Sequence, residues 1–189
     1  MPDISLQNLI IQEAQAQGVP PEIALGVAKT ESGISQWTPG GSVVTSSAGA
    51  LGVFQLLPST AAGLGVDPTD LHGNISGGIS YLKQLFQQFG NWNSALAAYN
   101  WGPGNVNSGA AVPTSVGQYV SNVLASAGNY AAGLLGMSSS ALPSVPAPAD
   151  STDLSAAALD SGISSTTAGT VALVGVLVVI GMAYLWKDL

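Results

Sequence analysis

Over the first 135 residues, apolar positions recur at intervals of three and four, interrupted by clusters of Gly, Pro and Ser. This period predicts a succession of amphipathic helices with few strands. The first nineteen residues place Ile4, Leu9, Ile10 and Ala14 on one side, with Asp3 as the candidate cap. In "VPPEIALGVAKTESG", Pro20-Pro21 opens a second helix, Glu22 sits in its first turn where the dipole favours negative charge, and Gly33 closes it. Asn74 is the candidate cap of a longer helix carrying Ile75, Ile79, Leu82, Leu85, Phe86 and Phe89 and stopped by Gly90. Ser94 to Asn100 reads as a short helix cut by Gly-Pro-Gly. Thr114 is placed to cap a last one, with Val116, Tyr119, Val120, Val123 and Leu124 along one side. The stretch from Trp37 to Thr60 reads as loop or a short irregular hairpin. The expected class is mainly α, one domain over residues 1–135 with enough apolar residues for one core.

The pattern then changes twice. Residues 136–167 lose the period and the aromatics, and Ser, Ala, Pro and Asp dominate, as in a flexible linker. Residues 168–186 are uniformly apolar. About 19 residues at ~1.5 Å each span ~28 Å, close to one bilayer core. Tyr184 and Trp186 sit where an interfacial belt belongs, so a single transmembrane helix through a lipid bilayer is expected. The N-terminal stretch lacks the basic and apolar regions of a secretory signal.

Composition narrows the chemistry. The chain is 47% hydrophobic but only 7% charged, with a net charge of −7 and three basic residues, Lys29, Lys83 and Lys187. Nucleic acid is therefore not an expected partner. With no Cys and one His, His72, there is no thiol nucleophile and no histidine-rich metal site, and no metal or cofactor is expected. A polymer bound by such a surface is held by aromatic, amide and hydroxyl groups, which suits a neutral glycan.

Against so uncharged a background, Glu31 continues the apolar stripe of Ile23 and Val27 at i, i+4 spacing. Desolvation at the end of that stripe should raise its pKa, and a protonated carboxyl near neutral pH is what a glycosidic leaving oxygen requires. A second acid within roughly 5–9.5 Å, as two-carboxylate hydrolases need, is not apparent. The domain's other acids are Asp3, Glu13, Glu22, Asp67 and Asp70, and each has a helix-face, turn or cap explanation. Phe54, Trp37 and Trp101 are candidates for stacking on sugar faces, whereas Trp92 reads as packing and His72 as a turn residue.

Three stretches, "TESG" at 30–33, "GALGVFQLLPSTA" at 49–61 and "ALAAYNWGPGNV" at 95–106, together resemble the catalytic domain of the soluble lytic transglycosylase family. Glu31-Ser32 and Ala98-Tyr99-Asn100 match the family's motifs outright. Gly52 and Gln55 match the ends of its Gly-Leu-Met-Gln, with Val53-Phe54 between them, and Trp101 replaces a usually small residue. The resemblance covers roughly residues 8–125. It implies a lysozyme-like, α-helical (α+β) domain acting on peptidoglycan glycan strands. One glutamate serves as acid and base, and the sugar's own 6-hydroxyl attacks to leave a 1,6-anhydro-muramoyl end. Catalysis then falls to Glu31 and substrate binding to Ser32, Gln55, Tyr99 and Asn100, with Tyr99 and Asn100 reaching Glu31 or the N-acetyl group. With the tail anchor, it suggests a wall-cutting protein of a phage virion membrane or a bacterial cell envelope, acting on the periplasmic cell wall. A hydrolytic muramidase of the goose-type lysozyme kind and a non-catalytic peptidoglycan-binding membrane protein are the alternatives.

Overall fold

The computed structural model describes residues 4–134. These form α1 (Ile4–Gln17), α2 (Pro21–Ser32), α3 (Pro58–Leu64), α4 (Leu71–Phe89), α5 (Trp92–Trp101), α6 (Pro103–Asn107) and α7 (Thr114–Leu134). Asp3, the linker at 136–167 and the apolar segment at 168–186 lie outside the described residues. Within those residues, no helix is long and apolar enough to cross a membrane.

Helix α2 is the centre of the described helices. Ile23, Ala24, Leu25, Gly26, Val27 and Ala28 are all buried, because α1 and α7 pack on different sides of it. A helix apolar all round must be covered all round, and the small residues let its neighbours come close. At Gly26 the backbone of α7 lies so near that a Cβ would stand 2.6 Å from the Val123 carbonyl oxygen and 3.1 Å from the Ala127 nitrogen. The C-terminus of α2 closes as expected on Gly33, with φ +69°. Gly33 N–H donates to the Lys29 carbonyl, the bond of an αL cap, and Ile34 N–H reaches back to the Ala28 carbonyl. Buried Ile34 itself sits at φ +63°, a strained conformation for a β-branched residue.

Two helix starts differ from the expected ones. Helix α4 is capped by Asp70, whose carboxylate accepts from Gly73 N–H at 2.8 Å, and not by Asn74. Asn74 lies one turn inside the helix and is fully buried. Both residues have capping chemistry, but Asn74 is claimed by tertiary partners. Helix α5 begins two residues early, at Trp92, because Asn91 accepts from Ser94 N–H at 2.8 Å. Trp92 stacks on Phe86 with ring centroids 4.4 Å apart, as packing. The short α3 and α6 show too few residues for a period. Each opens on a proline, Pro58 and Pro103, whose missing N–H costs nothing in a first turn.

Residues 37–56 are the irregular hairpin, held by isolated antiparallel bridges at Trp37–Val43, Thr45–Leu51 and Leu51–Leu56. One apolar cluster joins α1, α2, α4 and α7 with Phe54 and Leu56 of this segment. A second gathers Leu85, Ala95 and Ala98 with Phe86, Trp92 and Tyr99.

The close crossing at Gly26 gives a direct test. Gly26→Ala should cost about 1–3 kcal/mol, the usual penalty for overpacking a core. A urea melt reads it, and an unchanged midpoint would show that α2 and α7 separate freely.

Candidate active site

The capped end of α2 delivers Glu31 and Ser32 to one edge of the hairpin. Glu31 is half-buried, and the Tyr119 hydroxyl of α7 donates to its Oε1 at 2.6 Å. Burial pushes the Glu31 carboxyl above its ordinary pKa, and the Tyr119 hydrogen bond partly opposes that rise. Lys29, two residues earlier, is exposed and takes no part. The Tyr119 phenol is itself pushed well up, by burial first and then by the charge of Glu31, so it stays a donor. The contact exists because the α2–α7 crossing at Gly26 brings the two helices together.

Tyr119 was legible in the sequence only as part of α7's apolar stripe. A phenol in place of Phe or Leu on a buried stripe is the signal that a hydroxyl needs a partner. Tyr99 lines a cleft as expected, but the contact of its hydroxyl with Glu31 is not made. Its hydroxyl donates to the Phe54 carbonyl at 2.7 Å and not to Glu31. It remains an electrostatic neighbour of the acid: burial raises its pKa well above the ordinary value, with Glu31 and Tyr81 adding to the effect. The Tyr81 and Tyr99 rings meet at 5.4 Å.

Ser32 does not present a free hydroxyl. Its Oγ donates to the Val53 carbonyl at 2.9 Å and accepts from Ser35 N–H at 3.0 Å, which ties the helix end to the hairpin. Gln55 sits in left-handed backbone at φ +48°, and its amide donates to the Gly52 carbonyl at 2.7 Å. Gln55, Tyr99, exposed Asn100 and half-buried Trp101 line a cleft of about 320 Å³ with Leu56, Leu57, Thr60, Tyr81, Gly102 and Pro103. No lining residue carries a charge. Glu31 and Ser32 do not line this cleft; Tyr99 lies on it and is electrostatically coupled to Glu31.

Phe54 corrects an expectation. It is 0% exposed, its ring lies where a Cβ on Gly78 would be, and it is core and not a surface for sugar. Trp37 is 46% exposed on the hairpin, outside the cleft lining. Among the described residues, no group of three His, Cys, Asp or Glu side chains converges on a metal-sized space.

A family model for the transglycosylase SLT domain matches residues 8–119. The chain is 37% identical over 118 residues to a transglycosylase of Enterobacteria phage PRD1, covering 60% of this chain and 41% of that one. It is 32% identical over 120 residues to the soluble lytic murein transglycosylase of Escherichia coli K12, covering 56% and 17%. The structure of the 70-kDa soluble lytic transglycosylase of Escherichia coli superposes with a TM-score of 0.58 at 29% identity, over 72% of this chain and 25% of that one. An inactive Glu-to-Gln mutant of the lytic transglycosylase Slt from Pseudomonas aeruginosa gives 0.57 at 28%, over 69% and 24%. The chain spans less than half the length of each of these relatives.

Two outcomes follow from the electrostatics. Burial makes the folded chain hold the Glu31 proton more tightly than the unfolded chain does. The group's contribution to stability is therefore full at low pH, and is lost as pH rises from the ordinary glutamate range through its folded pKa. Glu31→Gln should melt above the parent at pH 7, and the gap should close below about pH 4; a gap that persists there would contradict the burial cost. Tyr119→Phe removes the opposing hydrogen bond, so carboxyl NMR should show the Glu31 pKa rising further.

Proposed function

The chain belongs to the transglycosylase SLT domain family, and from that premise we propose that it is a lytic transglycosylase cutting the β-1,4 bond between N-acetylmuramic acid and N-acetylglucosamine in peptidoglycan. The observation that carries the reading is Glu31: a carboxyl with a raised pKa, one phenol as donor, and no charged group acting on it. Glu22 lies nine residues away on the same helix, ~13 Å along its axis and beyond two-carboxylate range. Glu13 is paired with Gln17 on α1, and Asp67 and Asp70 are exposed and occupied by turn and cap bonds. A single acid is suited to a reaction whose nucleophile belongs to the substrate.

In that reaction protonated Glu31 gives its proton to the leaving glycosidic oxygen as the bond from the muramic C1 breaks. The resulting carboxylate takes the proton of the same sugar's 6-hydroxyl, whose oxygen bonds to C1. Glu31 ends protonated, no water is consumed, and the product carries a 1,6-anhydro ring. Tyr119 steadies the carboxylate between the two steps. Gln55, Asn100 and Trp101 contact the glycan in the uncharged cleft, Tyr99 and Ser32 hold the turn beside it, and Trp37 offers an outer aromatic face.

For the whole protein, residues 136–167 serve as a tether and 168–186 as the bilayer anchor, placing the domain at a phage virion membrane or cell envelope to open the wall. The apolar pattern and the phage relative support this placement. Removing residues 168–189 should shift the protein from membrane to soluble fractions in flotation.

The decisive experiment is mass spectrometry of muropeptides released from purified peptidoglycan. The parent should yield anhydro-muramoyl ends, and Glu31→Gln should lose about 10²–10⁴-fold in rate. Reducing ends would instead identify a hydrolytic muramidase. No product from the parent would leave a binding protein.

A further inference from the structure

Two buried amides, neither of them in the candidate acid–phenol pair, stand apart from the rest of the core. Gln36 and Asn74 are the buried polar side chains among the described residues, at 1% and 0% exposure. An amide is costly to bury unless both its ends are bonded, and here all ends are. Gln36 Oε1 accepts from Val53 N–H at 2.8 Å, while its Nε2 donates to the Pro68 and Thr69 carbonyls at 3.2 Å each. Asn74 Oδ1 accepts from Phe54 N–H at 2.8 Å, while its Nδ2 donates to the Leu51 and Pro68 carbonyls at 2.8 and 2.9 Å. Two consecutive N–H groups of one turn are thus held by side chains, and the Pro68 carbonyl joins the two amides.

Gly52 makes the approach possible. Its φ is +75°, and a Cβ there would lie 2.3 Å from Asn74 Nδ2 and 2.4 Å from Gln36 Oε1. The carbonyl edge of the same two residues faces the site. Val53 oxygen takes the Ser32 hydroxyl, Phe54 oxygen takes the Tyr99 hydroxyl, and Gln55 follows in its strained backbone. Strain of that kind persists only where surroundings over-determine it.

The geometry points to Gln36 and Asn74 as positioning residues for the proposed reaction, an amide clasp that sets the 52–55 turn and through it the places of Ser32, Gln55 and Tyr99 around Glu31. The inference rests on the lytic transglycosylase reading. Neither amide needs to touch substrate. A turn displaced by about 1 Å is enough to cost on the order of 10²-fold in rate.

Steady-state kinetics on soluble glycan strands test it, using the full chain, Gln36→Leu and Gln36→Glu, with the folded fraction of each measured by near-UV circular dichroism. Gln36→Leu should lower kcat per folded molecule about ten- to hundredfold, with KM within about threefold of the parent. In Gln36→Glu the protonated acid can still accept from Val53 N–H and donate to one carbonyl, whereas the carboxylate turns its charge on the carbonyls of Pro68 and Thr69. Its kcat per folded molecule, relative to the parent at each pH, should therefore recover as pH falls. Asn74→Asp repeats the test from α4. A role in stability alone changes the folded fraction and not these ratios. Ratios equal to the parent's, flat with pH, or lost only through KM would overturn the clasp while the parent's reaction stands. A parent that releases no muropeptides overturns the functional reading and the clasp with it. If Gln36→Leu does not fold, the Gln36→Glu series decides.

Discussion

A carboxyl group holds its proton more tightly where its charged form is denied water, and burial at the end of α2 does this to Glu31. Helix α2 is buried over six consecutive residues, and the acid emerges just where that burial ends. Desolvation raises the pKa; the Tyr119 phenol pulls the other way and keeps the acid's conjugate base tolerable. Both influences descend from one steric fact. Without a side chain at Gly26, α7 can lie against α2 backbone to backbone, and the phenol four residues before Val123 comes within hydrogen-bond reach.

The second organising surface is one face of α4. Asn74, Gly77, Gly78 and Tyr81 follow at i, i+3, i+4 and i+7. Asn74 grips the Phe54 N–H, Gly78 leaves room for the Phe54 ring, and Tyr81 meets the Tyr99 ring beside the cleft. The turn at 52–55 is therefore seated on this face while α2 and α5 hold it from the other edge through Ser32 and Tyr99. A segment with almost no regular ladder is immobilised by side-chain bonds from three helices. That suits the proposed reaction, in which one acid serves two proton transfers at one place.

The cleft beside the turn complements this chemistry by what it lacks. Its lining carries amide, hydroxyl and aromatic groups and no charge, which suits the neutral sugar of the proposed reaction. The low charge of the whole chain is the compositional trace of the same property.

Local chemistry was sufficient to read much of this from sequence. The Pro-Pro start and Gly33 stop of α2, the apolar stripes of α4 and α7, and the position of Glu31 on its stripe are set by neighbours three or four residues apart, which periodicity reports directly. Other features were decided by contacts distant in the chain. Asn74 has the chemistry of a cap, but the turn and Pro68 claim its amide, so Asp70 caps in its place. Phe54, a candidate for stacking on sugar from its place in the Gly52–Gln55 motif, turned inward because Gly78 leaves a space of its size. Tyr119 lies 88 positions from Glu31, and only the helix crossing at Gly26 joins them. Spacing encodes which face a residue occupies; which group waits opposite that face is set by packing between elements, and that belongs to the tertiary structure.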